Sequence, residues 1–181
     1  MAYRQRDPLT GALPAWLDYR SSHSMSSLSE AVRALLGVEG PCAVISTACS
    51  SSAKAFAAAA RQMTCGLIDA AIVGGVDSLC LTTLYGFNAL ELLAAEPCRP
   101  FDRDRKGLSI GEAAAFVLLE REGEGDLWLA GYGESSDAYH MSSPHPDGQG
   151  ALRAMDQALA RAGLSPAEID YINLHLSLIH I

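Results

Sequence analysis

The chain has 181 residues with a formal net charge of −8, from 13 Lys and Arg against 21 Asp and Glu, and 49% of it is apolar. The acidic balance excludes sequence-independent nucleic-acid binding, which needs clustered cations, while the apolar share is enough to build a core. No uncharged apolar run of about 18 residues occurs, and the first twenty residues carry Arg4, Arg6, Asp7 and Pro8 rather than a leader-like stretch, so the expectation is a cytoplasmic protein that does not meet a membrane.

In chain order, the first 40 residues read as loop with one short helix near Ser27 to Leu36. Cys42 to Thr47 (CAVIST) follows a Gly-Pro break and reads as a buried strand. Ser50 to Thr64 is Ala-rich and helical, ended by Gly66. Ala70 to Val76 (AAIVGGV) is a second strand whose paired glycines imply close backbone approach. Leu81 to Ala95 reads as a helix, and Cys98 to Gly111 as a polar loop. Ala113 to Glu120 and Leu127 to Gly131 read as two further strands. Leu152, Met155, Leu159 and Ala162 form a helical stripe ending at Gly163. Ser165-Pro166-Ala167-Glu168 has the form of a capping box, and Tyr171 to His175 reads as a last strand. Strands separated by helices predict an α/β layered sheet covered on both faces.

Five cysteines, at 42, 49, 65, 80 and 98, show no paired spacing for a disulfide scaffold or a tetrahedral zinc site. Four can serve as small core fillers. Cys49 differs in its setting, Ser46-Thr47-Ala48-Cys49-Ser50-Ser51-Ser52, where a strand gives way through one tight turn to a small-residue helix. A thiol at a helix N-terminus meets unpaired N–H groups and the positive end of the dipole, which favour the thiolate. The same N–H groups can hold an oxyanion when that thiolate attacks a carbonyl. From spacing alone, a structural cysteine beside a capping serine accounts for the segment equally well.

STACSSSAKAF, around Cys49, resembles the nucleophile signature of the β-ketoacyl synthases, the condensing enzymes of fatty-acid and polyketide assembly. The resemblance continues in family order through DAAIVGGVDSL (69–79), YGFNAL (85–90), CRPFDRDRKGLSIGEAAAFVLLE (98–120), DAYHMSSPHPDG (137–148) and DYINLH (170–175), covering roughly residues 20 to 175. It implies the thiolase-like fold with its α-β-α-β-α layers, of which this chain carries an incomplete central portion. It implies decarboxylative condensation of a malonyl thioester with an acyl group held on Cys49. The substrates ride on the phosphopantetheine of acyl carrier protein, the expected partner, and no cofactor is bound by the chain itself. The family's usual state is a homodimer, with the strand before the nucleophile, here Cys42 to Thr47, at the interface.

By the same resemblance His175 matches the first of two histidines that polarise the malonyl thioester. A histidine ending a strand is by itself more often structural, so this assignment rests on the family match. Asp137 and His140 fall in a loop, Asp137 to Ser142, that resembles the segment gating the acyl pocket; a solvated turn accounts for it equally well. His140 and His145, five apart, lack the further ligands of a metal pair. Asp102 and Glu112 are read as holding their loop rather than reacting.

The family is about twice this length. Its second histidine, ordering lysine and Gly/Phe loop lie beyond this sequence, and its Gly-Thr after the first histidine is replaced by Leu176-Ser177. Residues 176–181 are accordingly read as an unrelated, artefactual tail, and the chain alone as catalytically incomplete and poorly folded. A cysteine hydrolase, passing its acyl group to water, is the alternative from another class.

Overall fold

The computed structural model describes residues 2–140 and 143–174. The chain divides into two units, Met1–Ser51 and Ser52–Ile181.

In the first unit, α1 (Tyr19–Ser22) and α2 (Ser27–Leu36) touch each other. The Asp18 carboxylate caps α1 by accepting the Arg20 amide at 3.0 Å, satisfying a donor that helical bonding leaves open. Helix α2 stops at Gly37, whose φ of 65° lets its N–H turn back to the Arg33 carbonyl.

The second unit is built on α3 (Ser51–Thr64), β1 (Ala70–Asp77), α4 (Leu81–Ala89), β2 (Ala113–Glu120) and α5 (Gln149–Ala162). β1 and β2 form an antiparallel ladder running from Ala70 opposite Glu120 to Asp77 opposite Ala113. Gly74 pairs with Phe116, whose ring lies over it: a β-carbon at Gly74 would stand 2.3 Å from the ring. Helix α3 meets this ladder at two points. Its Ser52 hydroxyl lies against Gly75, and its Met63 carbonyl accepts from the Arg121 guanidinium just past β2. Ala57, Ala59, Met63 and Val73 are the buried apolar residues among those described.

Helices α2 and α3 and strand β2 fall where the sequence pattern puts them, and β1 runs one residue past its expected end. Three expected strands do not form. Cys42 to Thr47, Leu127 to Gly131 and residues 171–174 join no ladder among the described residues. Alternation and β-branching predict an extended backbone, whereas a strand also needs a neighbour to take its N–H and C=O groups. Helix α4 ends at Ala89 rather than Ala95. Glu91 adopts φ 57°, and the chain beyond it pairs with the following loop, Ala94 N–H to Leu108 O at 2.9 Å and Leu108 N–H to Leu92 O at 2.8 Å.

The expectation of a sheet covered on both faces also fails for this ladder. Ile72, Val76, Phe116, Val117 and Leu118 are all exposed. So are Leu152 and Met155, half of the α5 stripe. The cysteines are not core fillers either: Cys42, Cys49, Cys65 and Cys80 are exposed and Cys98 is half-buried.

Candidate active site

Cys49 stands two residues before the first residue of α3, in a turn held by its own hydroxyls. The Thr47 amide donates to Ser51 Oγ at 2.8 Å, Ser51 Oγ donates to the Ala48 carbonyl at 2.7 Å, and Ser50 Oγ donates to the Thr47 carbonyl at 2.9 Å. Thr47 Oγ1 and Ser50 Oγ are 3.0 Å apart. The hydroxyls of Thr47, Ser50 and Ser51 are thus engaged within the turn, while the thiol is exposed. Ala48 takes φ 54°, a left-handed conformation that a non-glycine residue adopts only at a cost of about 1–3 kcal/mol. This one strained residue separates Thr47 from the reactive side chain.

Asp137 and His140 belong to the second unit and share one open cleft of about 620 Å³, lined also by Ser136, Tyr139, Ser143 and Pro144. Asp137 is fixed by its surroundings. Its Oδ2 accepts the His145 amide at 2.9 Å, while its Oδ1 is buried against Gly150 in the first turn of α5, where a β-carbon would fall 1.8 Å away. A carboxylate there faces the positive end of the helix dipole. The His145 ring meets Tyr139 edge-on at 5.0 Å and accepts the Asp147 amide on Nδ1 at 3.2 Å. Met141 and Ser142 of this loop, and His175 with the 176–181 tail, lie outside the described residues.

The polar loop after α4 is held as expected from its carboxylates. Glu112 accepts the Leu79 amide at 3.1 Å, and Asp102 the Asp104 amide at 2.7 Å.

Sequence reasoning missed a second polar assembly. Residues 131–137, GYGESSD, run along α5 with alternate residues against it. β-Carbons at Gly131 and Gly133 would stand 2.2 Å and 1.7 Å from the Ala158 and Ala154 carbonyl oxygens, and Ser135 Oγ donates to the Gly150 carbonyl at 2.6 Å. Two extended residues advance about 6.6 Å and four helical residues about 6 Å, so the odd positions stay in step with one face of the helix. The even positions face elsewhere. Glu134 accepts from Lys54 Nζ at 2.8 Å and from Arg61, both on α3. Tyr132 lies between two guanidinium groups, 5.7 Å from that of Arg61 and 4.4 Å from that of Arg161. Hydrogen bonds from Lys54 and Arg61 hold the Glu134 carboxyl below the ordinary carboxylate range. The G-x-G-x-S-x-D alternation was the available signal.

Cys80 also differs from the other thiols. It precedes α4 at the capping position, with Sγ 3.1 Å from Thr83 Oγ1, and that hydrogen bond lowers its pKa from the ordinary thiol value.

Comparison with known proteins gives these features a context. The family model for the β-ketoacyl synthase N-terminal domain matches residues 6–124, and that for the C-terminal domain matches residues 128–177. The 3-oxoacyl-[acyl-carrier-protein] synthase 2 of Rhizobium meliloti is 39% identical over 153 residues, 76% of this chain and 36% of that protein. A chain of the ketosynthase–chain length factor complex from Xenorhabdus doucetiae is 45% identical with a TM-score of 0.84, covering 96% of this chain and 42% of that one. A β-ketoacyl synthase from Burkholderia phymatum superposes with a TM-score of 0.80 at 27% identity, over 94% of this chain and 45% of that one. The chain spans about a third of the length of the curated relatives it matches.

Proposed function

The chain belongs to the β-ketoacyl synthase family, with that family's thiolase-like fold, and on that premise we propose that it contributes the acyl-carrying half of a decarboxylative condensation in fatty-acid or polyketide elongation. The observation that carries the reading is the Cys49 turn: an exposed thiol beyond a strained Ala48, with the Thr47, Ser50 and Ser51 hydroxyls bonded within the turn. In the reaction, the Cys49 thiolate attacks the carbonyl of an acyl thioester on acyl carrier protein, and the carrier thiol leaves with a proton. A thiolate suits both this attack and its later expulsion. A malonyl thioester then loses CO2, its α-carbon bonds to the acyl carbonyl, and the Cys49 thiolate departs. His175 is assigned to donate a hydrogen bond to the malonyl thioester oxygen as the enolate forms. Asp137 and His140 are assigned to the wall of the acyl site.

Two partners follow from this reading. Acyl carrier protein delivers both substrates on its phosphopantetheine. A second ketosynthase-like chain pairs with Cys42 to Thr47, a segment that joins no ladder among the described residues. A second copy is the simplest such chain; a chain length factor, present in the Xenorhabdus doucetiae complex, is the other.

The deciding experiment incubates the chain with an acyl thioester of acyl carrier protein and maps the adduct by mass spectrometry. An acyl group on Cys49, absent in Cys49→Ala, is the expected result. Acylation elsewhere, or none, overturns the reading. Release of free acid without malonyl carrier protein would instead indicate a hydrolase.

A further inference from the structure

We propose that Glu134 is a positioning residue, which locks the 131–137 strip between α3 and α5 and thereby sets where Asp137 and His140 stand along their cleft. The proposal rests on the reading above that this cleft belongs to the acyl site.

Lys54 and Arg61 are seven residues apart, two turns of helix, and so project from one face of α3. Glu134 joins both. Its own amide faces Gln157 Oε1 at 3.5 Å on α5, and Arg161 donates to the Tyr132 carbonyl at 2.5 Å. The strip is therefore held from both sides, three residues before Asp137. Its register has few alternatives. A slip by one residue would drive Tyr132 or Glu134 into the α5 backbone, where Gly131 and Gly133 leave no room for even a β-carbon.

Without the Glu134 charge, Lys54 and Arg61 lose their shared counter-ion and the even-numbered side of the strip loses its tie to α3. The odd-numbered side keeps its glycine contacts. The strip then holds its parity but loses its lateral anchor, and the loop that begins at Asp137 gains freedom. The side chains of Lys54 and Glu134 are only 34% and 26% exposed, so solvent screens this pair less than an open surface pair.

The test compares the full 181-residue chain with Glu134→Gln, Lys54→Met and the double variant by amide hydrogen exchange. Glu134→Gln keeps the side-chain shape and removes the charge. Exchange over residues 135–140 should quicken about tenfold, with α2 and the Ser165–Glu168 turn unchanged. The double variant should add less than about twofold to the single one, as for partners in one network. If the wild-type chain is not acylated, the proposed function fails while exchange still decides the role of Glu134. Unchanged exchange at 135–140, a uniform rise across the chain, or additive variants would overturn the proposal.

Discussion

A β-carbon on Gly133 would stand 1.7 Å from the carbonyl oxygen of Ala154, so the 131–137 strip lies directly on the backbone of α5. The obstructing atom is a helix carbonyl already committed to the helical ladder, and it cannot turn aside as a flexible side chain could. Gly133→Ala should therefore destabilise the chain by about 1–3 kcal/mol, the usual cost of overpacking. Gly125→Ala is the control, because nothing lies within 4 Å of that position. Urea titration followed by circular dichroism measures both, and equal midpoints would contradict the close approach.

Ala48 makes a second prediction. At φ 54°, a β-branched side chain is worse placed than alanine, and glycine is better placed. Ala48→Val should lose at least about 1 kcal/mol and alter the alkylation rate of Cys49. Ala48→Gly should leave stability within about 1 kcal/mol of wild type, since relief of strain offsets the greater freedom of the unfolded chain. Thermal melting and timed iodoacetamide labelling check the pair.

Glu134 gives a pH dependence with a definite sign. Its pKa is depressed in the folded chain by Lys54 and Arg61, so the folded state binds this proton less readily than the unfolded state does. The resulting stability is fully present above the ordinary glutamate pKa and is lost as pH falls through the depressed value. Part exposure keeps the contribution under about 1 kcal/mol. Denaturation midpoints from pH 7 down to pH 3 should fall less steeply for Glu134→Gln than for the wild type. Parallel curves would show that the ion pairs do not contribute.

Cys80 should label at lower pH than an ordinary thiol, whose pKa is about 8.5, because the Thr83 hydrogen bond favours its thiolate. In Thr83→Val the labelling midpoint should rise. Peptide-resolved mass spectrometry separates Cys80 from Cys49, and a midpoint unmoved by the substitution would remove the hydroxyl as the cause. Labelling of Cys49 is best read against Cys80, an exposed thiol whose pKa is lowered by its hydrogen bond to Thr83; Cys42 and Cys65 are exposed as well.

What the sequence determined by itself is local. Helix α3, strand β2 and the Ser165–Glu168 box depend on nearest neighbours and on period. In the box, the Glu168 carboxylate accepts from both the amide and the hydroxyl of Ser165, each at 2.8 Å. The Cys49 turn is equally local, since its hydrogen bonds span three or four residues. The serial order of motifs was enough to identify the family.

The tertiary structure decided whatever depends on a distant partner. Cys42 to Thr47 and Leu127 to Gly131 have the composition of strands, but ladder hydrogen bonds come from a partner strand, and none pairs with them among the described residues. The Glu134 cluster joins residues 80 and 73 positions apart, and no local pattern shows which cations a carboxylate will meet. The glycines at 131 and 133 carried a hint of close packing, but only folding showed that α5 is what they pack against. Hydrogen bonds within a turn are written in adjacent residues, whereas burial and ion pairing are fixed only when distant segments converge.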